Sequence, residues 1–205
     1  MDADLNNGEA EASNPLAEAQ VAELVERALA GEESAFGELV TMYHGRVYGL
    51  VYRMVRQVDD AREVEQTAWV KAWQRLSTYK REAKFYTWLY RIAVNTAMDH
   101  VRRQARQREV PLENEEGREP VPAPEWSGSL LARPDEAAEQ DEVRQVFHSA
   151  LEGLSAEHRA ALVLREVEGR TYEEIAKIQG CRTGTVMSRL FYARRAIQDK
   201  MRSVR

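Results

Sequence analysis

Five of the six prolines in this 205-residue chain fall between positions 111 and 134: Pro111, Pro120, Pro122, Pro124 and Pro134. Proline fixes one backbone angle and removes an amide donor, so it is excluded from helix interiors and central strands. The same stretch is strongly acidic, since residues 109–144 hold eleven acids against Arg118, Arg133 and Arg144, a net charge of −8. Such a sequence cannot bury enough apolar surface to offset its ordering entropy. Residues 108–138 therefore read as an interdomain linker, and whatever folds must do so on either side of it.

Both flanking segments are basic. Residues 75–108 carry a net charge of +7 and residues 182–205 a net charge of +6, although the whole chain sums to −5. A global pI of about 5.6 would argue against nucleic acid only if charge were spread evenly, and it is not. The length admits two small domains and excludes a large multi-layer enzyme. Eleven glycines leave little material for the turns of a β-sandwich,. A single cysteine, Cys181, excludes a disulfide framework or a multi-cysteine zinc site and fits a reducing compartment,. The N-terminus has no apolar core of a signal peptide and no run approaches the roughly 18 apolar residues of a membrane span. A cytoplasmic protein without membrane insertion is expected.

The expected fold class is all-α, with two small helical domains. After an acidic tail over residues 1–16, Val21, Leu24, Val25, Ala28 and Leu29 recur at helical spacing until Gly31,. Residues Phe36, Leu39, Val40 and Tyr43 form a second set and Val47, Leu50, Val51, Met54 and Val55 a third. Asp59 and Asp60 offer an N-cap to a helix holding Val64, Ala68, Trp69, Ala72, Trp73 and Leu76,. Residues 77–86 break the period, and a helix resumes from Thr87 to Arg103.

The second unit begins near Glu139, with Val143, Val146, Phe147, Ala150, Leu151 and Leu154 on one face, and Ser155 caps the helix that follows. Gly169 ends it. Thr171, Tyr172, Glu173 and Glu174 form a capping box, in which the threonine hydroxyl meets the N3 amide and the glutamate reaches back,. Gly180, Cys181 and Arg182 make a three-residue turn before Thr183 caps a longer basic helix. A short helix, a tight turn and a basic helix constitute a helix-turn-helix pattern over about residues 171–195.

In such a motif the second helix enters the major groove with its N-terminal residues at base edges, which nominates Arg182, Thr183, Thr185, Ser188 and Arg189,. Arg194 and Arg195 lie further along, where phosphate is the expected partner. A basic face is also what an ordinary bundle shows to solvent, but the turn, the capping box and the charge together favour DNA. In the first basic island, cations alternate with rings: Tyr79, Lys80, Arg81, Lys84, Phe85, Tyr86, Trp88, Tyr90, Arg91. That mixture suits single-stranded nucleic acid, where cations follow the backbone and rings stack on unpaired bases. Trp88 could equally be core, and Trp69 and Trp73, four apart, could pack inward or mark an exposed protein-binding stripe.

Catalysis finds little support. His44, His100, His148 and His158 do not fall at the i, i+4 spacing of a helical metal site, and no phosphate loop or nucleophile elbow is present,. No cofactor, metal or small-molecule substrate is expected. Cys181 reads as a packing residue in the turn.

The run from Phe85 through Thr87, Trp88, Leu89, Tyr90, Arg91, Ile92, Ala93, Val94 and Asn95 to Ala97, preceded by Asp60, Ala61, Gln66, Trp69, Val70, Lys71, Ala72 and Trp73, resembles region 2 of the extracytoplasmic-function (ECF) sigma factors, the envelope-stress type above all. Leu164, Arg165, Glu166, Gly169, Tyr172, Glu173, Glu174, Ile175, Ala176, Gly184, Thr185, Val186, Ser188, Arg189 and Leu190 resemble region 4 of that family. The resemblance implies region 2 over residues 17–107 and region 4 over 139–205. It implies core RNA polymerase and promoter DNA as partners, an anti-sigma factor as regulator, and promoter-specific transcription initiation as the function. Glu63, Gln66, Trp69, Val70, Trp73 and Leu76 would dock on the clamp coiled coil of the beta-prime subunit, with the beta subunit also in contact. Tyr79, Lys80, Lys84, Phe85, Tyr86, Trp88, Arg91, Asn95 and Asp99 would read the melted minus-10 element. Arg182, Thr183, Thr185, Met187, Ser188, Arg189, Phe191, Tyr192, Arg194 and Arg195 would meet the duplex minus-35 element.

The chain departs from the family pattern at four places. Arg62 and Thr67 stand where the family often has acids, which makes the core-binding surface less acidic. Met187 and Tyr192 stand where relatives commonly have arginine, so an altered minus-35 preference is expected, a lost bidentate base contact being worth about 1–3 kcal/mol of discrimination,. The rival readings are a stand-alone helix-turn-helix regulator, which would dimerise on paired half-sites, and a nucleic-acid enzyme, which would need a carboxylate cluster or nucleophile.

Overall fold

The computed structural model describes residues 15–109, 150, 151 and 153–202. The expected tail before Pro15, nearly all of the linker, and the opening of the second unit at Val143, Val146 and Phe147 lie outside the described residues, as does His148. Every regular element among the described residues is helical. Four helices form the first lobe: α1 (Pro15–Leu29), α2 (Glu33–Val55), α3 (Val58–Arg75) and α4 (Phe85–Glu109), with a 3-10 turn at Leu76–Thr78. The second lobe has α5 (Ala156–Leu162), a π-helical turn at Val163–Val167, α6 (Tyr172–Gln179) and α7 (Thr183–Arg202).

The local sequence accounts for most boundaries. Gly31 takes φ +95°, which ends α1 and turns the chain into α2,. The two apolar sets expected at 34–43 and 47–55 merge into the single 23-residue α2, because their periods share one buried face through Leu39, Val47, Leu50, Val51 and Met54. Asp59 and Asp60 sit in the first turn of α3 rather than at its cap, which is Gln57; there their charges face the positive end of the helix dipole. α4 starts two residues before the expected Thr87 and runs on to Glu109, into the expected linker.

In the second lobe Ser155 accepts the amide of His158 as the cap of α5. Both bonds of the Thr171–Glu174 capping box form, Glu174 N–H to the Thr171 hydroxyl at 3.2 Å and Thr171 N–H to the Glu174 carboxylate at 3.0 Å. Gly180 closes α6 at φ +63°, and the Cys181 amide returns to the Ala176 carbonyl at 3.0 Å,. Ile175, Ile178, Val186 and Leu190 are fully buried between α6 and α7, each contributing about 1.5–3 kcal/mol by leaving water. The expected cap at Thr183 shifts by one residue, since the Thr185 and Val186 amides both reach the Arg182 carbonyl.

The two lobes pack against each other through α4 with α5 and α6, and through α2 with the π turn. Arg159, buried in α5, donates to the Met54 carbonyl at 2.7 Å. It thereby satisfies one of the open carbonyls at the end of α2 and places a cation at the negative end of that helix.

Candidate nucleic-acid interface

α3 separates its nominated residues by face. Glu63, Gln66, Val70 and Trp73 are exposed along one stripe, with Trp73 at 39%. Trp69, 9% exposed, packs edge-on against Phe36 with centroids 5.9 Å apart and donates its indole N–H to Glu65 at 3.2 Å. Leu76 is buried as well. Of the six residues nominated for polymerase contact, Trp69 and Leu76 therefore turn inward; positions 69 and 73 lie on one side of the helix, but Trp69 is buried there while Trp73 stands at the edge of that packing. Phe36 also reaches Trp73, at 4.9 Å, and holds its ring in place on the surface.

The basic aromatic segment is a connected cluster. Tyr79, Phe85 and Trp88 lie within 5.4–5.6 Å of one another, centroid to centroid. Phe85 is core, Trp88 and Tyr79 are half-buried, and Lys80 and Lys84 are exposed. The Tyr79 hydroxyl donates to the Ala83 carbonyl at 2.8 Å and so fixes the loop. Arg91, Asn95 and Asp99 recur at i, i+4 and i+8 on the exposed side of α4, with Asp99 accepting from Arg102 at 3.2 Å.

Two of the loop cations are already matched: Lys84 pairs with Glu18 and Arg81 with Glu26, both on α1. Beside them a cleft of about 840 Å³ opens between α1, the loop and α6, lined by Tyr43, Arg46, Tyr79, Tyr86 and Arg170 among others.

The second lobe reaches the same place. Tyr86 donates its phenol hydrogen to Glu174, and the Arg170 guanidinium stands 4.5 Å from the Tyr86 ring centroid. Tyr90 donates to Glu168 at 3.2 Å, which also pairs with Arg53 at 3.5 Å. Burial first, then the Glu174 carboxylate, raises the Tyr86 phenol above its ordinary value. Burial works to raise Glu174 too, but the bonds from Tyr86 and the Thr171 amide outweigh it and hold the carboxyl below the usual range. The pair is thus a protonated donor and an ionised acceptor near neutral pH. No local pattern in the sequence announces Glu168, Arg170 or Arg159 as interlobe contacts, and Glu174 reads there only as part of a cap.

On α7, the polar side chains are largely engaged within the domain. Arg189 donates to Gln179 at 2.7 Å, with Cys181 Sγ 3.6 Å away. Arg194 donates to Glu166 from two nitrogens, at 2.6 and 3.1 Å, and Ser188 to the Thr185 carbonyl at 3.0 Å. Arg182 and Arg195 are exposed at the start and the middle of the helix, while Thr183 and Thr185 are half-buried. Met187, Phe191 and Tyr192 are 52%, 60% and 58% exposed.

Comparison with known proteins gives this arrangement its class. The Sigma-70 region 2 family matches residues 39–107 and the Sigma-70 region 4 family residues 144–197. The chain belongs to the ECF sigma factors, the small initiation factors that bind core RNA polymerase and direct it to promoters. It is 37% identical over 188 residues to the RNA polymerase sigma-H factor of Pseudomonas aeruginosa, covering 91% of this chain and 96% of that protein. It is 39% identical over 180 residues to the ECF RNA polymerase sigma-E factor of Escherichia coli, covering 87% and 92%. Among solved structures, CnrH in complex with the cytosolic domain of CnrY shares the fold at a TM-score of 0.60 and 22% identity, over 90% of this chain and 98% of that one. The sigma factor RpoE in complex with the anti-sigma factor NepR from Bartonella quintana gives 0.60 and 25%, over 83% and 98%. No helix among the described residues is long and apolar enough to cross a membrane.

Proposed function

We propose that this sigma factor divides its work between three surfaces. The exposed stripe Glu63, Gln66, Val70 and Trp73 on α3 docks core polymerase. The loop carrying Tyr79, Lys80 and Lys84, continued by Tyr86, Trp88, Arg91, Asn95 and Asp99 on α4, receives the unpaired bases of the minus-10 element. The exposed side of α7 enters the major groove of the minus-35 element. The chain performs no catalysis of its own, and it acts in the cytoplasm, where polymerase and promoter are.

The observation that carries this reading is the pairing of a ring-and-cation loop with a helix-turn-helix on one chain: one suits melted strands and the other suits duplex. Control through an anti-sigma partner is part of the proposal, supported by the similarity to a sigma factor solved with one. Run-off transcription with purified core polymerase tests the whole. Promoter-specific transcripts should depend on the full chain and be lost with Trp73→Ala, and DNA binding that never depends on core would favour a stand-alone regulator.

A further inference from the structure

We propose that α7 reads its duplex through thymine methyl groups, with Met187 and Phe191 as the contacting side chains. This inference rests on the reading of α7 as the minus-35 helix and names the chemistry by which it selects. Positions 184, 187, 188, 191 and 195 form one exposed stripe along the helix. At its centre stand two large apolar side chains, more than half exposed, one helical turn apart. Two of the polar groups nominated for base edges are committed elsewhere, Arg189 to Gln179 and Ser188 to the Thr185 carbonyl.

In the major groove an apolar side chain has one sequence-specific partner, the C5 methyl of thymine. Charge on the rim fits a nucleic acid rather than a protein occupant. Arg182 stands exposed at the N-terminal end of α7 and Arg195 continues the exposed stripe beyond Phe191, cations of the kind that position a helix on phosphates. One helical turn, about 6 Å, spans roughly two base steps of 3.4 Å. Met187 and Phe191 should therefore touch thymines about two positions apart.

The test uses holoenzyme assembled from the full chain and core polymerase on a promoter selected from a library. Each thymine of the upstream element is replaced in turn by deoxyuridine, which removes the methyl and leaves every hydrogen-bonding group. Promoter affinity should fall about fourfold at each of two positions, the value of one buried methyl-sized group. Met187→Ala should abolish that discrimination at one of them and Phe191→Ala at the other. Both side chains are outside the core, so neither change should disturb folding, and unchanged thermal unfolding would verify it. Equal affinity for thymine and deoxyuridine templates at every position would overturn the proposal. So would loss of binding to a protein partner, with unchanged promoter affinity, in the two alanine variants. Absence of core-dependent transcription from the unsubstituted promoter would instead overturn the initiation-factor reading itself.

Discussion

Tyr86, in the first turn of α4, donates its phenolic hydrogen to Glu174, the residue that also closes the capping box of α6. A side chain nominated for the minus-10 element is thereby held by the helix that precedes the one proposed to read the minus-35 element. The two elements lie about 25 base pairs apart, roughly 85 Å at 3.4 Å per pair, so lobes in contact cannot occupy both. Tyr86→Phe keeps the ring and removes the bond, and a hydrogen bond to a charged group is worth about 1.5–3 kcal/mol, with the lower end expected for a half-buried one. The radius of gyration from small-angle scattering should rise. An unchanged radius would mean that the remaining interlobe contacts, Arg159 with Met54 and Tyr90 and Arg53 with Glu168 among them, hold the lobes without it.

The inward and outward tryptophans of α3 should fail in different ways. Trp69→Ala removes a ring packed on Phe36 and should cost about 3–5 kcal/mol of folding stability, read as a shift in the urea midpoint. Trp73→Ala should leave the fold nearly intact and weaken core binding by at least about 30-fold, as expected for a central aromatic anchor. Equal losses of stability in both variants would contradict the division of faces.

Thr171→Ala deletes one side of the capping box and should destabilise the second lobe by about 1 kcal/mol. Serine at this position should restore it, since the hydroxyl is what accepts the Glu174 amide. Thermal unfolding of the three proteins gives the comparison.

Glu157 on α5 is paired with Arg102 on α4, and chiefly through that bond its carboxyl is held down at about 2, against a usual 4.5. A carboxyl whose pKa is lower in the folded state contributes stability that is fully present above 4.5 and is lost as pH falls toward 2. Wild type should therefore lose stability more steeply than Glu157→Gln between those limits, while above pH 5 it should be the more stable of the two. Parallel urea midpoints at pH 6, 4 and 3 would show that the pair does not persist in solution.

Much of this molecule is legible in its residues. Helix starts and stops follow from capping chemistry and glycine, as at Ser155, Thr171 and Gly180, because those signals act within four residues. The stripe on α3 and the basic face of α7 follow from periodicity. Three things do not. The inward turn of Trp69 depends on where Phe36, thirty-three positions away, comes to lie. The π turn at Val163–Val167 has no local signature; it buries Leu164 and leads into Glu168, which accepts from Tyr90 of the other lobe. The engagement of Arg189 by Gln179 requires the tertiary angle of the helix-turn-helix, so a cation that looks available in the sequence is already committed in the fold.

The ion pairs that bind α1 to the loop change how the protein should respond to its ionic surroundings. A cation meeting a phosphate for the first time releases a condensed counterion, and single-strand affinity then falls with salt by about 0.7 in log slope per contact. On the proposed reading of the loop, a strand that reaches Lys84 must first displace Glu18, and the freed carboxylate takes up a cation as the DNA gives one off. The loop should thus grip its strand with a salt sensitivity smaller than its number of positive charges implies, and the carboxylates of α1 set how much smaller.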